Sequence, residues 1–419
     1  MVDTVAGWGR MVEDGLMVLP LGVDAHVHLS MDAGLLRTCD DFESGSKAAL
    51  RGGTGALVDF VEPEPGEPLL EALRKRRTQA APSLVPVLFH MTISEWRDST
   101  PDELKACVEA GIGSFKIYMA YLDSIGIDDP TILKVLRVAH SMGVKMLVHA
   151  EDGLGIQALQ SGCVARGDLT PRFHALSRPA ATEARAVVRL LAMVEELGGP
   201  EVVIAHVSSA AAMGVIKSAK ARGLPVRAET CTQYLAFDAS RYELPDGQGA
   251  RYVMSPPLRT SDDVEYLWTC VADGTVDFIA TDHCPFYLGQ KMAHADDFMR
   301  IPNGVGGVAE RMAFVLGEGH LRRNIPIDRL LSVLALNAAA FHGIPVPKWP
   351  ADGGLPASYC LWDLGRAYAY KSGMGGSLCD YSIYEGLEFR ALPQKVVLDG
   401  RVAAREWQLD IPHRDSGVQ

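Results

Sequence analysis

Eight short apolar runs rich in β-branched residues recur along this chain between stretches of helical spacing, and that alternation restricts the fold more than any other feature. The runs are GVDAHVHL (22–29), GALVDFVE (55–62), LVPVLFHMTI (84–93), SFKIYM (114–119), KMLVHAE (145–151), EVVIAHVSS (201–209), PVRAET (225–230) and DFIATDH (277–283). Between them, helical spacing predicts helices over 41–53, 67–81, 100–111, 129–143, 182–198, 210–223 and 261–274. Near-continuous apolar strands alternating with amphipathic helices imply a parallel sheet covered on its outer face, and eight such units predict an α/β fold closed into a (β/α)8 TIM-type barrel. An open doubly wound sheet is the rival. No glycine fingerprint for a nucleotide follows the first strand, which weakens that rival.

Local signals agree with these boundaries. Thr100 and Glu103 read as a capping box with Pro101 at the first helical position, and Gly111, Gly143 and Gly223 stand where left-handed C-caps are wanted. Residues 306–324 and 326–343 read as further helices on the barrel's end. Beyond about residue 346 the pattern breaks into short β-like pieces, ending in QKVVLDGRVAA (394–404), whose Asp-Gly pair predicts a hairpin turn. The expected division is a catalytic barrel over 19–345 and a small, reduced β-sandwich module from 1–18 plus 346–419. The last residues, HRDSGVQ, read as a loose tail.

A chain of 419 residues suits one such barrel with a minor module. Its net charge of −12 speaks against nucleic acid or an anionic membrane as partner, because both call for concentrated Lys and Arg. The N-terminal stretch has neither the basic start nor the apolar region of a secretory signal, and no run of 18 apolar residues is present, so a cytoplasmic protein is expected. The eight cysteines are scattered without a CxxC pair, which predicts reduced thiols.

The chemistry starts at residues 22–29. Strand alternation predicts Asp24, His26 and His28 on one face and Val23, Ala25, Val27 and Leu29 on the other, which aims two imidazoles at one point. In a barrel of this kind functional groups gather at the carboxyl ends of the strands, and Lys116, His149, His206 and Asp282 all stand there. Four histidines and one aspartate suit two divalent ions, zinc by preference, with manganese or cobalt as alternatives. Two such ions carry four positive charges against one carboxylate, so an anionic bridge is needed. A desolvated lysine, neutral enough to take up carbon dioxide, supplies one as a carbamate, and Lys116 is the candidate.

GVDAHVHL, FKIYMAY, VHAE, AHVSS, MSPPLR, ATDHCPF and IPNGVGG resemble, in order and spacing, the cyclic amidohydrolases, and among them the dihydropyrimidinases and hydantoinases. The match covers roughly residues 19–345, with a weaker echo over 377–404. The resemblance implies that His26, His28 and Asp282 hold the more buried metal, that His149 and His206 hold the more exposed one, and that carbamylated Lys116 bridges them. It further implies that Tyr121 donates to the substrate carbonyl oxygen and that Ser255 and Asn303 hold the ring amides by main-chain atoms. A hydroxide held by both ions would attack, with Asp282 moving the proton to the leaving nitrogen. The implied substrate is a small cyclic ureide or imide, the implied product an N-carbamoyl amino acid, and the implied assembly a homo-oligomer, tetramer or dimer. This chain departs from the family in its shorter β segment before the first barrel strand and in its poor match over 351–378. Dihydroorotases carry an arginine after the HxH pair where this chain has Leu29 and Ser30; allantoinases are the nearer alternative. Non-catalytic homologues have lost metal ligands, whereas all six are retained here.

Overall fold

All eight apolar runs form parallel strands, because each buries both faces. In the computed structural model, which describes residues 8–11, 15–350 and 354–410, they are β1 (Gly22–Asp24), β2 (Thr54–Val61), β3 (Val87–Thr92), β4 (Ser114–Tyr118), β5 (Lys145–His149), β6 (Val202–Ile204), β7 (Val226–Cys231) and β8 (Phe278–Ala280). They pair in sequence order from β1 to β8. The ring closes beyond the regular ladder, through a bridge between Val27 and His283, a bond of 2.8 Å from His28 N to His283 O and one of 3.0 Å from Thr281 N to Asp24 Oδ1.

The predicted alternation along residues 22–29 does not hold throughout. Val23 and Ala25 line the barrel interior with Ala56, Val58, Phe60, Leu147, Val203 and Phe278, while Val27 and Leu29 join the helix-facing core. Asp24 bonds Thr281 and lies 3.7 Å from Arg311 of the outer helix Glu310–Val315. Regular pairing of β1 ends at Asp24, so the two-residue period is broken there, and His26 and His28 swing over the interior independently of Asp24. Beneath them Ala338, Ala339 and Phe341 of helix Asn337–His342 pack on the interior cluster and plug the floor.

The seven predicted helices are present within two residues at either end, from Phe42–Arg51 to Ser261–Asp273. Two more, Gly153–Arg166 and Pro171–Leu176, stand between β5 and helix Ala180–Leu197. The predicted capping box at Thr100 is absent. The helix starts at Thr100 itself, whose Oγ1 accepts from Arg97 N at 2.8 Å. The Glu103 carboxylate accepts from Leu69 N at 2.9 Å and Ser99 Oγ at 2.7 Å, tying two helices together. Reciprocal boxes do form at Asp41 with Ser44 and at Thr260 with Asp263.

The second module is an antiparallel sheet of Arg10–Met11, Met17–Leu19, Tyr359–Asp363, Leu392–Leu398, Arg401–Arg405 and Gln408–Leu409. Its hairpin turns at Asp399 and Gly400, both with positive φ (49° and 78°), as a type I′ turn requires. The preceding segment returns to the barrel: Leu378 N donates to Asp40 Oδ1 at 2.9 Å, and His283 Nε2 lies 3.0 Å from Asp40 Oδ2. The tail expected at 413–419 lies outside the described residues. Among the described residues no helix is long and apolar enough to cross a membrane.

Candidate active site

His26 and His28, carried just past the end of β1, bring their Nε2 atoms within 3.3 Å of each other. Each lies 3.2 Å from Asp282 Oδ1, which the chain delivers just past β8. A tetrahedral ion with bonds of about 2.0–2.1 Å has donor–donor edges of about 3.3–3.4 Å, so this triangle matches one face of such a site. His149, closing β5, and His206, just past β6, place their rings 4.5 Å apart, and the His206 ring lies 5.5 Å from that of His26.

Lys116, on β4, is fully buried among them. Its Nζ lies 4.7 Å from the Tyr118 ring centre and 5.3 Å from that of Phe60, and it has no hydrogen-bond partner among the described residues. Burial pulls its pKa down to about 8, although the charges of Asp282, Glu229 and Glu62 work the other way. His28 Nδ1 and His206 Nδ1 are likewise buried without a partner. Buried polar atoms in folded proteins are nearly always paired. A donor triangle of this size beside an orphaned amine and two further imidazoles therefore fits divalent metal.

Carboxylates stand behind the histidines. Glu229 Oε1 lies 2.7 Å from His26 Nδ1 and accepts from His206 N at 3.2 Å. Glu151 Oε2 lies 2.9 Å from His149 Nε2 and accepts from Arg178 Nη1 at 2.7 Å. Glu62 Oε1 lies 3.9 Å from His28 Nδ1. The two that bond ring nitrogens, Glu229 and Glu151, fix which nitrogen carries the proton and raise ligand basicity. Burial alone would raise the Glu151 carboxyl, but Arg178 and His149 hold it down to about 2. Burial opposes ionisation of Asp282 too, and His26 and His28 outweigh it, keeping the group far below the usual carboxylate range. None of these three glutamates was among the candidates read from sequence. The signal was present, since Glu62, Glu151 and Glu229 all fall at or near the carboxyl ends of predicted strands.

Tyr121, His206 and Asp282 have left-handed backbones, with φ of 59°, 39° and 51°. Such outliers cost about 1–3 kcal/mol each and persist where surrounding packing over-determines them. Tyr121 follows β4, its ring 5.3 Å from that of His149 and 5.1 Å from the Arg178 guanidinium. Burial raises its pKa, against Arg178, so its hydroxyl stays a donor at neutral pH. Ser255 stands close enough to that hydroxyl to act on its titration, and Ser255 Oγ donates to Asn303 Oδ1 at 3.2 Å. All six candidate ligands and all three candidate ring contacts thus lie at the same end of the barrel.

A closed parallel barrel with a His-His-Asp cluster at the carboxyl ends of its strands is the plan of a metal-dependent hydrolase. The chain belongs to the amidohydrolase family, which it matches over residues 17–403. It is 35% identical over 401 residues to a D-hydantoinase of Rhizobium radiobacter, covering 95% of this chain and 87% of that one. A D-phenylhydantoinase of Escherichia coli O1:K1 / APEC is 35% identical over 344 residues, 81% of this chain and 73% of the relative. Among solved structures, a dihydropyrimidinase from Brevibacillus agri NCHU1002 superposes with a TM-score of 0.90 at 33% identity, covering 94% of this chain and 86% of that one. A D-hydantoinase from Bacillus sp. AR9 gives a TM-score of 0.90 at 34% identity, over 94% and 87% of the two chains.

Proposed function

We propose that this chain hydrolyses the cyclic amide bond of dihydropyrimidines and 5-substituted hydantoins, releasing N-carbamoyl amino acids. The observation that carries the reading is the triangle of His26, His28 and Asp282, its edges 3.2–3.3 Å, in a chain 35% identical to hydantoinases over most of its length.

On this reading His26, His28 and Asp282 would hold one divalent ion and His149 and His206 a second, zinc by preference, with Lys116 as a carbamate that would supply the further anionic ligand. The unpartnered Lys116 amine, lowered to about 8, supports the carbamate, because only a neutral amine takes up carbon dioxide. The two ions supply a nucleophile from water at neutral pH and polarise the scissile carbonyl. Tyr121 donates its hydroxyl to the carbonyl oxygen as negative charge develops there, in a site already ordered for it. Ser255 and Asn303, with main-chain atoms, hold the ring amides and set the scissile bond against the metal ligands. The Asp282 carboxylate takes the proton from the attacking water and passes it to the leaving ring nitrogen. Residues 19–345 form the catalytic unit, and a homo-oligomer working in the cytoplasm completes the reading.

Metal quantitation together with a hydrolysis screen over dihydrouracil, 5-substituted hydantoins and allantoin tests this. Metal-dependent opening of the first two classes is expected. Opening of allantoin alone, or of none in a metal-replete sample, overturns it.

A further inference from the structure

Lys291 lies on the short helix Leu288–Met292, which follows the Asp282 loop. It is fully buried, yet among the described residues no carboxylate pairs with it. Its Nζ donates to Val253 O at 2.8 Å and to Pro302 O at 2.9 Å. Those carbonyls sit two residues before Ser255 and one before Asn303. Val253 O also accepts from Gly304 N at 3.1 Å, so one carbonyl receives both donors. The far side of the 302–305 segment is pinned to the barrel, where Cys284 N donates to Val305 O at 2.9 Å. A side chain on Gly304, whose φ is 140°, would meet Cys284 O at 2.3 Å, so this segment lies directly against the β8 loop.

An apolar side chain of the same volume would fill this space without the cost of burying an amine. What it could not do is span two carbonyls on separate segments. Burial lowers Lys291 to about 7, and the amine has N–H groups for both carbonyls in either protonation state.

We propose that Lys291 is a positioning residue, which sets the separation of the Ser255 and Asn303 peptide groups and thereby the fit of the cyclic ureide between them. This rests on the function proposed above. Lys291 Nζ bonds neither the candidate ligands nor the side chains of Ser255 and Asn303. Its loss therefore weakens ring binding and leaves the metal site and the chemical step in place.

The test uses the metal-loaded enzyme with Lys291→Met, which keeps nearly the same volume, and Lys291→Ala, with and without ethylammonium to refill the space. Steady-state kinetics on hydantoin and dihydrouracil are read beside calorimetric binding of hydantoin, metal content and melting temperature. For Lys291→Met the expected result is a KM and a dissociation constant raised about tenfold or more, with kcat and bound metal little changed. Partial recovery of KM for Lys291→Ala in ethylammonium is also expected. A Lys291→Met protein that binds the ring as tightly as the native one overturns the inference alone, even if its melting temperature falls. A drop in kcat and metal content with KM unchanged overturns it too. A native enzyme that neither binds nor opens any cyclic ureide overturns the functional reading and this inference with it.

Discussion

Glu229 Oε1 lies 2.7 Å from His26 Nδ1, and both side chains are buried. The bond turns the opposite nitrogen, Nε2, toward His28 and Asp282. Glu229 thus orients a candidate ligand from β7, two strands round the ring from β1. Glu229→Gln keeps the shape and loses the charge. It should weaken metal binding about 10–100-fold, read by competition with a chromogenic chelator. Unchanged affinity would show that His26 is oriented by packing alone.

Asp282 has two parts in the account, ligand and proton carrier. Asp282→Asn keeps an oxygen facing His26 and His28 but cannot take a proton. Much of the metal should remain while kcat falls by several orders of magnitude. His26→Ala should lose metal and activity together. Metal analysis and turnover on the same samples separate the two, and an Asp282→Asn enzyme with near-native kcat would remove the proton-carrying role.

Lys116 has no partner among the described residues. Native protein kept in bicarbonate should carry the added mass of one carbon dioxide, seen by mild intact-protein mass spectrometry and absent from Lys116→Ala. Lys116→Ala should lose nearly all activity and regain part of it in millimolar acetate or propionate, since a free carboxylate can stand in for the carbamate. An unmodified Lys116 in a fully active, metal-replete sample would exclude the carbamate.

Stability should depend on pH through His174, which is buried with Nε2 2.8 Å from Met254 O. Burial, with Arg178 adding to it, lowers this imidazole to about 3, against about 6.5 in an unfolded chain. Between those values the unfolded chain binds the extra proton. The stability His174 contributes is therefore present above about pH 6.5 and lost as the pH falls toward about 3, at a rate of at most about 1.4 kcal/mol per pH unit. The difference in denaturation midpoint between native protein and His174→Gln should accordingly shrink on acidification. A constant difference would contradict the assignment.

The barrel was legible because its strands are apolar on both faces and its helices on one, and those periods survive any detail of register. The ligand histidines were legible because strand ends point at a shared mouth. The phase of residues 22–29 was not, because it depends on β1 ceasing to pair at Asp24, a tertiary event with no local signal. Glu103 looked like half of a capping box, but one of its partners, Leu69, lies 34 residues away. Helix Gly153–Arg166 escaped notice because three of its fourteen residues are glycine, which lowers helix propensity by about 1 kcal/mol at each. Glu62, Glu151 and Glu229 stood in view, yet a strand-end carboxylate reads the same whether it meets solvent or an imidazole.

The most direct measurement is a titration of the metal-free chain with zinc while the opening of hydantoin and dihydrouracil is followed. The account predicts no turnover without metal, and activity that rises to a plateau at about two ions per chain. Full turnover in chelator-treated protein, or two bound ions with no ring opened, would contradict it.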